Sequence, residues 1–134
     1  MTRYLLDTNV ISQALKRPNG QLAIRIEGLL ASQICTSIIV AAELRFGVEK
    51  RPSPSREQSI ETFLANIDVL SVEAPTDETY AVVRAQLEAA GTPIGANDLL
   101  IAAQALSLGL TLVTDNEREF RRVPGLAVEN WLRE

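Results

Sequence analysis

The chain has 134 residues, 46% of them hydrophobic and 4% aromatic, with a formal net charge of −4, so it is long enough to bury an aliphatic core without staples. One cysteine excludes an internal disulfide and a Cys-based zinc site, and the lack of histidine excludes His triads, imidazole bases and His-ligated zinc. No stretch approaches the roughly 20 apolar residues of a membrane span. Met1-Thr2-Arg3-Tyr4 lacks the apolar run of a secretory leader, and Cys35 reads as a buried reduced thiol, so a cytoplasmic protein is expected.

Short apolar runs alternate with helical patterns, without repeat or composition break, and one domain over residues 1–134 is expected. Residues 4–6 read as a strand ending at Asp7-Thr8-Asn9, followed by a helix to about Leu15 and a loop from Lys16 to Gly20. Residues 21–31 read as helix and 34–36 as strand, and Ser37 caps a helix running through Lys50. Pro52 and Pro54 break the chain before a helix over about 56–67; residues 69–72 read as strand, and Pro75-Thr76 opens a helix through Ala90. After a loop at 91–95, Asn97 caps an apolar helix over 98–108 that Gly109 terminates. Residues 110–113 read as strand, Pro124-Gly125 as a turn and 126–128 as the last strand. Strands separated by helices predict a parallel sheet covered on both faces. Function in such sheets lies beyond the carboxyl ends of the strands, where Asp7 and Asp115 both fall.

Two further acids sit on predicted helices. Ile39, Ala42, Glu43 and Phe46 share one helical face, which places Glu43 on a core-facing apolar stripe. Asp98 shares a face with Ile101, Ala102 and Ala105, with Gln104 and Ser107 opposite. Singly, each acid also fits a plainer role: a turn or cap for Asp7 and Asp115, a stripe margin for Glu43, a helix-start acid for Asp98. Together they predict one catalytic cluster, because carboxylates on inward faces need a cation to offset their burial and mutual repulsion. Oxygen-only ligands suit Mg²⁺ or Mn²⁺. Without histidine, metal-activated water is the natural nucleophile, and phosphodiester hydrolysis the default chemistry. Basic residues gather at Arg45, Lys50, Arg51 and Arg56 and at Arg118, Arg121 and Arg122. Arg118, Lys50 and Arg51 are the candidates for holding the phosphates of the substrate, and Arg45, opposite Glu43, is expected to contribute least.

Four blocks carry a resemblance over essentially the whole chain: Leu5-Leu6-Asp7-Thr8-Asn9; Ser37 through Leu44, then Gly47; Ile94-Gly95-Ala96-Asn97-Asp98; and Leu112-Val113-Thr114-Asp115-Asn116 with Phe120. The sequence resembles the PIN-domain family and, within it, the VapC-type toxins of bacterial toxin–antitoxin pairs. Its ending, Val123-Pro124-Gly125-Leu126 through Glu129-Asn130-Trp131, is similar to their common tail. The resemblance implies a three-layer α/β/α PIN domain with a central parallel sheet and a Mg²⁺- or Mn²⁺-dependent endoribonuclease. It makes Asp7 and Asp98 the principal metal ligands, Glu43 the second acid, and Asp115 or its neighbour Asn116 the fourth position. Thr8, Asn9, Thr114 and Asn116 stand where they orient the site. Its implied substrates include transfer RNA, and its implied partners are a small DNA-binding antitoxin, in a toxin–antitoxin hetero-oligomer, and a second copy of the chain in a homodimer. A haloacid-dehalogenase-like phosphatase would want an Asp two residues after Asp7, where Asn9 stands. A catalytically silent PIN scaffold that binds RNA or protein is the alternative from another functional class.

Overall fold

The protein is described here by a computed structural model covering residues 2–133. Among the described residues, five short strands form one sheet: β1 (Tyr4–Leu6), β2 (Ile34–Ser37), β3 (Asp68–Leu70), β4 (Thr111–Val113) and β5 (Val128–Glu129). All pair in parallel, in the order β3-β2-β1-β4-β5. Parallel neighbours require crossovers. These are built from α1 (Thr8–Lys16), α2 (Gln21–Glu27), α3 (Ile38–Lys50), α4 (Pro54–Ala65), α5 (Thr76–Ala89), α6 (Ala96–Leu108) and α7 (Glu117–Phe120).

Right-handed crossovers put α1 to α4 on one face, because β2 and β3 are added in one direction, and α5 and α6 on the other, because β4 returns past β1. The packing agrees: α1 lies against α2 and α3, α3 against α4, and α5 along α6. The result is a three-layer α/β/α architecture. Leu5, Leu6, Cys35, Leu112 and Val113 are fully buried at its centre. Burial pushes the Cys35 thiol up to about 11. Among the described residues, no helix is long and apolar enough to cross a membrane.

Several elements differ from the sequence expectation, each for a local reason. The helix expected over 21–31 stops at Glu27, where Gly28 is the C-cap, and Ala31–Gln33 forms a separate 3-10 turn. The helix expected from Arg56 begins at Pro54, which needs no N–H bond in the first turn, and the Ser53 hydroxyl accepts the Arg56 N–H. Asn97 is not a cap: α6 starts at Ala96 behind Gly95. Gly109 does end α6, in the left-handed conformation at φ 68° that glycine adopts without steric cost. The last strand lies at Val128–Glu129, not 126–128.

Two expected helix faces are corrected. On α3 the core side is Val40, Ala41 and Leu44, while Ala42 is exposed and Phe46 is 64% exposed. Glu43 therefore stands at a half-buried margin and not on the core stripe. Apolar residues at nearly every position of 38–42 make the periodicity ambiguous, and docking against neighbouring elements chooses the face. On α6, Gln104 is fully buried instead of facing outward. Its amide donates to the Leu70 and Ser71 carbonyls, tying α6 to the end of β3.

Candidate active site

The chain runs outward from β1 to β3 and then returns to place β4 beside β1, so strand order reverses at the β1/β4 boundary. Ligand crevices of open α/β sheets lie at such a switch point. Asp7 follows β1 directly and Thr114 follows β4. The Asp7 N–H donates to the Val113 carbonyl at 2.9 Å, and the Thr114 hydroxyl donates to Asp7 Oδ2 at 2.7 Å. The other carboxylate oxygen of Asp7 accepts the Thr8 N–H at 2.8 Å and caps α1. Asp7 is only 3% exposed. Burial raises its pKa most, the Thr114 and Thr8 hydrogen bonds oppose that rise, and the Glu43 charge adds to it.

Glu43 is joined to this cluster through Thr8, whose hydroxyl donates to Glu43 Oε1 at 2.6 Å. Asp98 lies in the first turn of α6. Its carboxyl is pushed from the ordinary 3.8 to about 7, first by burial, then by the Asp7 charge, by hydrogen bonding and charge from Glu119, and by Glu43. A carboxyl raised by burial together with neighbouring like charges is a functional-site candidate. Among the described residues, no three acids close into a ready-made metal cage. The donors present are instead two mutually repelling carboxylates, Asp7 and Asp98. That suits an ion such as Mg²⁺, which commonly binds through one or two carboxylates and keeps several waters.

Residues 4–126 match the family model described as the PIN domain. The chain belongs to the PIN-domain family. It is 38% identical over 130 residues to "Ribonuclease VapC2" of Rickettsia felis, covering 96% of this chain and 97% of that protein. It is 36% identical over 132 residues to the "tRNA(fMet)-specific endonuclease VapC" of Salmonella typhimurium, covering 98% and 99%. Among solved structures, VapBC2 from Rickettsia felis bound to a DNA fragment from their promoter superposes with a TM-score of 0.89 at 37% identity, covering 97% of this chain and 99% of that one.

Within this PIN domain the loop after β4 departs from the expected four-acid cluster. Asp115 is exposed; its N–H donates to Asn9 Oδ1 at 3.0 Å, and its carboxylate accepts the Asn130 amide at 3.1 Å. It does not figure among the charges that raise Asp7 or Asp98. The physical reason is the turn, in which Asn9 fastens the Asp115 backbone and Asn130 draws the side chain toward the C-terminal segment. Asn116 turns inward instead, with its N–H donating to Thr114 Oγ1 at 3.0 Å and its amide reaching Glu119 at 2.7 Å and Asp98 at 3.4 Å.

Glu119, on α7, is the site residue that sequence reasoning missed. A four-residue helix carries too little periodicity to be read from the pattern. The available signal was an acid three residues after Asn116, one turn away if the segment is helical. Of the basic candidates, Arg45 is held through two of its guanidinium nitrogens by Glu61 at 3.0 and 2.8 Å. Arg121 pairs with Glu117, and Arg122 donates to the Pro93 carbonyl. Arg118, Lys50 and Arg51 are exposed, and none has an ion pair among the described residues.

Proposed function

We propose that this chain, as a single PIN domain over residues 1–134, is the cytoplasmic toxin of a type II toxin–antitoxin pair. It acts as an endoribonuclease that hydrolyses RNA phosphodiester bonds with Mg²⁺ or Mn²⁺. The observation that carries the reading is the acid cluster at the switch point, where Thr114 holds Asp7, Thr8 holds Glu43 and Asn116 reaches both Asp98 and Glu119, and where burial, then the charges of Asp7, Glu119 and Glu43, raise Asp98. Near-complete coverage of relatives named as ribonucleases supports it. Asp7 and Asp98 would hold the ion, with transfer RNA as the substrate class that one relative's name suggests. When bound, the ion supplies charge to offset the phosphoryl oxygens and an activated water nucleophile.

The protein's own groups set the geometry. Thr114 and the Thr8 N–H fix both oxygens of Asp7, so its carboxylate is aimed before any ligand arrives. Thr8 holds Glu43 at the edge of the crevice, where it can accept a proton from an attacking water. Asn116 sets Asp98 and Glu119 relative to one another. A small DNA-binding antitoxin and a second copy of this chain are the proposed protein partners, as solved relatives include toxin–antitoxin assemblies on DNA.

Incubation of the purified protein with bulk transfer RNA, with Mg²⁺, with Mn²⁺ and with excess chelator, tests the reading. Cleavage is expected with either ion and is lost with chelator. Asp7→Asn, which keeps the volume and the helix cap, is expected to reduce cleavage by about 100-fold or more, beyond the 10–100-fold cost of disturbing an outer partner of a metal ligand. Undiminished cleavage in chelator would overturn the metal mechanism. RNA binding without cleavage under any condition would leave the silent binding module.

A further inference from the structure

We propose a second, anion-binding site one helical turn from the acid crevice: a cavity of about 240 Å³ between α1, α3 and α4 that takes a phosphate of the RNA strand. This deepens the ribonuclease reading and rests on it. Its position follows from two helices. Thr8 on α1 meets Glu43 on α3 at 2.6 Å. Ser12 and Gly47 stand four residues further along each helix, about 6 Å on. Arg56 of α4 reaches over that layer, since a methyl group added at Gly47 would lie 3.5 Å from Arg56 Nη2. Ser12 and Lys16 of α1 face Ser55, Arg56 and Ser59 of α4 across the cavity, over a floor that includes Leu44 and Ile60.

The chemistry of this wall selects an anion. It contains two cations and three hydroxyls and no carboxylate. Elsewhere Arg3 is paired with Asp68, Arg45 with Glu61, Arg84 with Glu88 and Arg121 with Glu117, while Lys50, Arg51 and Arg118 are exposed without an ion pair among the described residues and line no cavity with a second cation. Lys16 and Arg56 have no ion pair among the described residues, yet they converge on one cavity. A guanidinium beside an ammonium and serine hydroxyls suits a phosphodiester, and the apolar floor suits the ribose edge. An acidic crevice repels the strand that it must cut. A cationic pocket one turn away holds a neighbouring phosphate and offsets that repulsion without adding positive charge among the reacting groups.

The test reads binding, not turnover. In an Asp7→Asn background, chosen so that cleavage does not deplete the RNA, the affinity for two unrelated single-stranded RNA oligonucleotides is measured against salt, with and without Lys16→Gln and Arg56→Gln. Each lost contact is expected to reduce the slope of log affinity against log salt by about 0.7, and to weaken both sequences to the same extent. Arg84→Gln, which loses a pair with Glu88 and a hydrogen bond to Tyr80 away from this cavity, is expected to leave the slope unchanged. Circular dichroism confirms that each variant is folded. An unchanged slope in the double variant, with RNA still bound, would overturn the phosphate site. Loss of a co-expressed protein partner with that slope unchanged would also overturn it, and would make the cavity a protein-docking groove. Failure of the unmodified protein to cut RNA would sink the ribonuclease reading alone, because the slope is read without cleavage. Failure of the Asp7→Asn protein to bind RNA at low salt would overturn both.

Discussion

The two sides of the crevice solve the problem of buried negative charge differently. On the β1/α3 side each carboxylate has a donor fitted to it: Asp7 receives the Thr8 N–H and the Thr114 hydroxyl, and Glu43 receives the Thr8 hydroxyl. On the α6/α7 side the amide that reaches Asp98 is that of Asn116, at a long 3.4 Å, and it bonds Glu119 more closely at 2.7 Å. Glu119 crowds Asp98 instead of relieving it. Hydrogen bonds to the ionised form keep a carboxylate charged, whereas burial beside like charges favours its neutral form. The first side is organised in advance. The second carries an electrostatic deficit of the kind that a bound divalent cation would offset.

Breaking the deficient side gives the largest effect. Asp98→Asn is expected to reduce RNA cleavage by about 100-fold or more, comparable to the loss of the other proposed ligand. Its effect on stability has the opposite sign. Because the folded value of Asp98 stands near 7 and the ordinary value is 3.8, the native state binds more protons than the unfolded state between those limits. Stability of the metal-free protein therefore falls as pH rises through that window. Thermal melts in chelator should show Tm declining from about pH 5 to about pH 7.5, and a shallower decline for Asp98→Asn. Asp7, also raised by burial, accounts for the part that remains. Mn²⁺ is expected to raise Tm of the unmodified protein at the upper pH, since it binds the native site, and to raise it less for Asp98→Asn. A flat Tm across this window would contradict the deficit.

The contrast between the two sides also explains what was legible in the sequence. Asp7 and Asp98 sit at element boundaries marked by local signals, a strand end and a helix start, and the alternation of strand and helix points to the carboxyl edge of the sheet. Glu43 is legible for the wrong reason, because Ile39, Ala42 and Phe46 imitate a core stripe that the packed α3 does not use. Glu119 becomes a neighbour of Asp98 only when α7 folds against the start of α6, a tertiary event with no periodic signature. Asp115 and Asn116 are adjacent in sequence, so the choice between them depends on the turn pinned by Asn9 and Asn130. A single residue of turn geometry decides which side chain enters the site.

The organised side should yield a smaller effect. Thr8→Val removes the hydroxyl that holds Glu43 but keeps the N–H that caps Asp7. Cleavage is expected to fall about tenfold, in keeping with roughly 1.5 kcal/mol for a charge-assisted hydrogen bond, with the pH dependence of Tm retained. A loss as large as that of Asp98→Asn would mean that Thr8 does more than orient Glu43.

The smallest effect is expected at Asp115, where sequence reading and geometry part. If the carboxylate of Asp115 entered the crevice, its charge would join those of Asp7, Glu43 and Glu119 in raising Asp98, and it does not. Its visible work is to accept the Asn130 amide, which also donates to Glu117, so it fastens the loop after β4 to the C-terminal segment. Asp115→Asn keeps the side-chain carbonyl that accepts this bond and deletes only the charge. Cleavage is therefore expected to change by less than about threefold, under the roughly 1 kcal/mol net worth of an ordinary hydrogen bond. Asn116→Ala, which removes the amide set between Asp98 and Glu119, is the informative partner and should cost more. Measured at saturating Mn²⁺, a loss at Asp115→Asn equal to that at Asp98→Asn would put Asp115 back among the metal ligands, and would require the turn held by Asn9 and Asn130 to open when the ion binds.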